Sequence, residues 1–109
     1  MKDVRKEKIT EIIRELAAEF ILLESSKSSL ITVTRAEMSP SGKEAVVFFT
    51  TIPDNQEDTA LKFLERKTGE FKIYMKKNSR LGMLPHLTFK IDYGERNRQR
   101  LDELSAEGL

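Results

Sequence analysis

Two nine-residue runs separated by five residues of turn chemistry leave this chain few architectures. Residues 30 to 38 alternate and are rich in β-branched side chains (Ile31, Thr32, Val33, Thr34), which is the pattern of a strand. Ser39, Pro40, Ser41, Gly42 and Lys43 then supply a turn. A second strand follows at about residues 44 to 52, where Ala45, Val46, Val47, Phe48 and Phe49 are apolar on both faces. Such a run predicts a central strand in a sheet covered by helices on one side. The two strands are expected to pair as an antiparallel hairpin.

The flanking segments change period. Over about residues 3 to 23, Ile9, Ile12, Ile13, Leu16, Ala17, Phe20 and Leu23 recur three and four apart, with Glu11, Arg14, Glu15 and Glu19 opposite, predicting an amphipathic helix. A polar connector of serines and one lysine, residues 25 to 29, has no period. After the hairpin, Pro53, Asp54 and Asn55 stop the strand and offer a cap for a helix over about 56 to 67, with Ala60, Leu61 and Leu64 inward. Gly69 predicts a break or kink, because glycine costs about 1 kcal/mol relative to alanine inside a helix. A second arm then runs to about Arg80, placing Phe71, Ile73, Tyr74 and Met75 toward the sheet. Pro85 ends the connector, and residues 87 to 91 alternate as a third strand. Residues 94 to about 106 read as a charged helix with Leu101 and Leu104 spaced to dock. The order is α-β-β-α-kink-α-β with a short C-terminal helix, an α+β fold in one domain spanning residues 1 to 109.

Charge is distributed unevenly. The chain carries 19 Lys and Arg against 18 Asp and Glu, a net of +1. Residues 66 to 80 alone hold Arg66, Lys67, Lys72, Lys76, Lys77 and Arg80 against Glu70. A local positive field of that kind attracts a polyanion although the molecule is nearly neutral. Catalytic signals are missing. There is no cysteine and one histidine, His86, so no thiolate or imidazole metal site is available, and no metal or other cofactor is expected. Asp92 and Glu95 lie close in sequence, but no nucleophile or glycine-rich phosphate loop accompanies them. The N-terminus lacks a secretory h-region, and no apolar run nears the roughly 20 residues that span a bilayer. A cytoplasmic protein that is not an enzyme is the expectation.

The candidate nucleic-acid site is the kinked pair of helices: Arg66, Lys67, Thr68, Gly69, Lys72, Lys76, Lys77 and Arg80. A tight turn at Gly69 would let a phosphate approach the main chain, and free N–H groups at the start of the second arm would favour the anion. Lys72, Lys76 and Arg80 are four apart and would form one stripe along a sugar–phosphate backbone. A solvated basic face is the alternative for such a row. Phe48, Phe49, Phe71 and Tyr74 fit core packing better than base stacking, because they lie within apolar runs.

Several segments resemble the ribosome-binding factor A family. Residues 30 to 39 (Leu-Ile-Thr-Val-Thr-Arg-Ala-Glu-Met-Ser) are similar to that family's first strand and turn, and residues 45 to 49 to its second strand. Gly69, then Arg80 and Leu81, then Pro85, His86, Leu87, Thr88 and Phe89 follow the family's spacing. The resemblance covers residues 1 to 92, with 93 to 109 as an appended charged helix. It implies a type II KH-like domain whose GxxG loop is replaced by an Ala-x-Gly kink, here Lys67, Thr68 and Gly69, with lysine in place of alanine. It also implies a non-catalytic bacterial assembly factor that binds the immature small (30S) ribosomal subunit and 16S rRNA as a monomer. The implied role is late maturation and rRNA processing, especially in the cold. A KH-like module that docks proteins rather than RNA is the alternative.

Overall fold

The computed structural model describes residues 4–24 and 30–107. The 25–29 connector lies outside them. The elements are α1 (Val4–Glu24), β1 (Leu30–Met38), β2 (Glu44–Ile52), a 3-10 turn (Asp54–Gln56), α2 (Glu57–Asn78), β3 (His86–Ile91) and α3 (Tyr93–Glu107). Both hairpin strands fall on the residues expected from their alternation.

β1 and β2 pair antiparallel from Leu30↔Ile52 to Met38↔Ala45. Their turn closes where the Gly42 N–H donates to the Ser39 carbonyl at 2.9 Å, with Gly42 at φ 75°, a backbone conformation that strains any residue with a Cβ. β3 joins the other edge of β2 in parallel, from Glu44↔His86 to Phe49↔Ile91, so β2 is central as its apolar run predicts. A parallel partner requires a crossover, and α2 supplies it.

α1 and α2 cover one face of this sheet. Ile13, Leu16, Ala17, Phe20 and Ile21 of α1 meet Ala60, Leu64, Phe71 and Met75 of α2 over Ala45, Val47, Phe49, Leu87 and Phe89 of the strands. The Phe71 ring lies at the centre, 5.3 Å from that of Phe20 and 6.0 Å from that of Phe89. Four expectations for the inward positions are corrected. Leu23 is 70% exposed and Ile21 is buried instead, because a helix of 3.6 residues per turn drifts off a strict three-and-four spacing. Ile73 is 56% exposed, two positions from each of Phe71 and Met75 and so on the opposite side of α2. Leu101 and Leu104 are 64% and 62% exposed.

Polar contacts hold α3 instead. The Asp92 carboxylate caps it, accepting the Glu95 N–H at 3.0 Å. Arg96 pairs with Glu57 at 2.7 Å, and Arg100 with Asp54 at 2.6 Å. The cap expected from residues 53–55 takes another form. Asp54–Gln56 winds into a 3-10 turn leading into α2, and Gln56 at the cap position makes no side-chain cap bond.

Candidate nucleic-acid interface

α2 is one helix from Glu57 to Asn78 and passes through Gly69 without a break. This corrects the expected break into two helices. The roughly 1 kcal/mol that glycine costs is outweighed on both sides by Leu64, Phe71 and Met75, each fully buried on the same helix face and each contributing about 2 kcal/mol or more. The Thr68 hydroxyl reinforces the turn just before Gly69 by donating to the Leu64 carbonyl at 2.9 Å. There is therefore no second helix start here, and no free N–H groups to hold a phosphate.

Gly69 nevertheless lies at an unusual place. It is exposed, and a Cβ built on it would meet nothing within 4 Å. Nothing inside the fold requires a glycine there. Lys62, Arg66, Gly69, Ile73 and Lys77 follow one another at spacings of three and four along the outward face, with Lys72 and Lys76 on the adjoining stripe. The result is a cationic helix face with a side-chain-free notch at its middle. Sequence alone does not single out Lys62, because it lies outside the dense basic run.

The other predicted residues divide. Among the described residues, Arg66, Lys72, Lys76, Lys77 and Arg80 have no ion-pair partner. Lys67 has two, Glu70 at 3.0 Å and Glu24 at 3.7 Å, and these pairs, the Glu70 hydrogen bond foremost, raise its pKa above the ordinary lysine value. It links α2 to the end of α1 rather than offering its charge outward. Arg80 does not extend the stripe either. The helix ends at Asn78 and Ser79 is extended (φ −147°, ψ 169°), so Arg80 leaves the α2 row and borders a cleft with Glu15 and Glu19 of α1. Thr68 faces a groove of about 420 Å³ between α2 and β3, lined by Leu61, Glu65, His86, Thr88 and Lys90 among others. β3 pairs on one side only, with β2, so its other edge borders this groove. Lys90 lines it from a position that alternation alone assigned to an ordinary strand, and His86, expected only at the strand entry, is the first residue of β3.

Phe49 and Phe71 are core residues as expected, and Tyr74 is half-buried with its hydroxyl 3.2 Å from Glu19. Phe48 is not core: it is half-buried, and the Arg35 guanidinium lies over its ring at 3.8 Å. Among the described residues, no group of three or more His, Cys, Asp or Glu could hold a metal ion. No described helix is long and apolar enough to cross a membrane.

Comparison with known proteins supplies the family. Ribosome-binding factor A of Thermosipho africanus is 33% identical over 111 aligned positions, which take in 96% of this chain and 88% of that one. The crystal structure of ribosome-binding factor A from Thermus thermophilus superposes with a TM-score of 0.70 at 23% identity, over 79% of this chain and 93% of the other. A homology model of the Thermus thermophilus factor, fitted into a cryo-EM map of its complex with the 30S subunit, gives a TM-score of 0.67 at 23% identity, over 76% of this chain and 90% of that one. The profile of the ribosome-binding factor A family matches residues 5–105, and this chain belongs to that family.

Proposed function

We propose that this chain binds the immature small ribosomal subunit through 16S rRNA and assists late maturation and end processing of that RNA. It acts as a monomeric, non-catalytic factor in the bacterial cytoplasm, with its greatest effect in the cold. The observation that carries the reading is the notch at Gly69 within a face of unpaired cations. An exposed mid-helix glycine with open space above it suits close approach by an external backbone. Arg66, Lys72, Lys76 and Lys77 around it suit phosphates, and the α2–β3 groove adjoins them with Lys90 and His86 among its lining residues. The fitted complex of the Thermus factor with a 30S subunit supports the choice of partner.

The test is co-sedimentation of the full chain with purified small subunits. Replacing Lys72, Lys76 and Lys77 together by Glu is expected to abolish binding while the helical circular-dichroism signal stays native. Binding by the natural chain should weaken steeply with salt, each neutralised phosphate contributing roughly −0.7 to −0.9 to the slope of log K against log salt. Unchanged co-sedimentation of the triple variant refutes the site. A protein-docking module remains the second reading, favoured by the exposure of Leu101 and Leu104 on α3. Binding that persists undiminished at high salt would select it.

A further inference from the structure

The face of the sheet away from α1 and α2 carries a row that the proposed site touches only at one end, Lys90. Arg35 of β1 pairs with Phe48 of β2, and Phe48 with Lys90 of β3, so the three lie side by side across the sheet. The Arg35 guanidinium stacks on the Phe48 ring at 3.8 Å from its centroid. Its Nε lies 3.3 Å from Asp92 Oδ2, and Nη1 bonds the Glu37 carboxylate. Three contacts thus fix the plane, yet the side chain remains 47% exposed. The ring covers one side of the guanidinium, so a base can meet it only from the opposite side.

Lys90 is exposed and, among the described residues, has no ion-pair partner. It also lines the α2–β3 groove, so it belongs to both surfaces. Two strand spacings, about 10 Å, separate it from Arg35, a gap that a lysine side chain and one nucleotide together span. Toward the turn the neighbouring positions are polar and exposed (Glu37, Glu44, His86, Thr88) with Val46 half-buried among them, while the exposed Leu30–Ile52 pair lies at the other end of the hairpin. The row itself therefore lies beside a polar surface rather than within an apolar patch.

The geometry points to a base-stacking site on the open sheet face: one unpaired nucleobase rests on the outer side of the Arg35 guanidinium, and its phosphate meets Lys90 where the strand leaves the groove. Unpaired RNA bases stack on guanidinium planes, and a plane already fixed loses little freedom on binding. This inference rests on the RNA-binding reading of the α2 face and extends the path of the strand beyond it.

The experiment uses the full chain and a single-stranded RNA of about ten nucleotides, within the usual length of such sites, carrying 4-thiouridine for photo-cross-linking and peptide mapping. Cross-links are expected on the β1 or β2 peptides holding Arg35 and Phe48, in addition to α2. Arg35→Lys, which keeps the charge and loses the plane, should weaken binding about tenfold with an unchanged salt slope. Lys90→Ala should flatten that slope. Cross-links confined to α2, with Arg35→Lys binding as the natural chain does, overturn the stacking site and leave the α2 reading standing. Absence of RNA binding by the natural chain overturns both.

Discussion

Thr34 and Asp92 lie 58 residues apart, yet the Thr34 hydroxyl donates to Asp92 Oδ2 at 2.5 Å. The register shift between Val33 and Arg35 makes this geometry available, because it lets two consecutive β1 residues, Thr34 and Arg35, reach the same carboxylate. Through its other oxygen Asp92 caps α3. One buried side chain therefore joins the hairpin to the C-terminal helix.

That carboxyl responds to acid in a defined direction. Burial pushes its pKa up, but the Thr34 hydroxyl, the Glu95 N–H and Arg35 together outweigh burial and hold it below the ordinary aspartate value. A depressed folded-state pKa adds stability that is present above the unfolded value, about 3.9, and is lost as pH falls through the folded one. Asp92→Asn is expected to cost about 1–3 kcal/mol at pH 7, and the gap to the natural chain should close as pH falls below about 4. Urea midpoints measured from about pH 7 to about pH 3 check this; a constant gap contradicts it.

Gly69→Ala separates folding from binding. Alanine fits the open space over this helical position and should stabilise the chain by about 1 kcal/mol, raising Tm by a few degrees. The same methyl fills the notch and should weaken binding to small subunits severalfold. A variant that is stabilised and binds normally removes the notch from the interface.

The Glu57–Arg96 pair is only half satisfied. It spans 2.7 Å, while Glu57 Oε2 and Arg96 Nε are buried without partners. Glu57→Gln should cost about 2 kcal/mol by leaving a partly buried cation without its counter-charge. Replacing both residues together, by Leu and Met, should fall within about 1 kcal/mol of the natural chain. Chemical denaturation of the three variants tests the asymmetry.

Lys67 and Lys76 should behave differently despite their shared charge. Lys67 is held by Glu70 and Glu24, whereas Lys76 has no ion-pair partner among the described residues. Lys76→Ala is expected to weaken subunit binding severalfold and to lower the salt slope by just under one. Lys67→Ala should leave both nearly unchanged. Equal losses would place Lys67 at the interface after all.

The strands were legible because Ile31, Val33, Val47 and Phe49 obey a local two-residue period set by burial on one face. The continuity of α2 was not, because the cost of Gly69 is local whereas the burial of Phe71 and Met75 that outweighs it is tertiary. The basic residues were legible as a cluster but not in their duties. Lys67 is occupied by Glu24, a residue from another helix, and Arg80 leaves the row because Ser79 turns the chain. In sequence, Asp92 reads as half of an unsupported carboxylate pair. Its cap on α3 spans three residues and fits an Asp-x-x-Glu helix start, but its ties to Thr34 and Arg35 lie across a distance that no spacing rule reaches.

Because β3 is laid down parallel to β2, the two walls of the α2–β3 groove cannot be assembled by local folding. The hairpin can close as soon as its two strands exist, but the groove waits for the crossover to dock and for the last edge strand to be added. On a ribosome making this chain, the groove is thus among the final features to take shape, and a nascent fragment ending before residue 86 lacks it although it already holds the α2 cations.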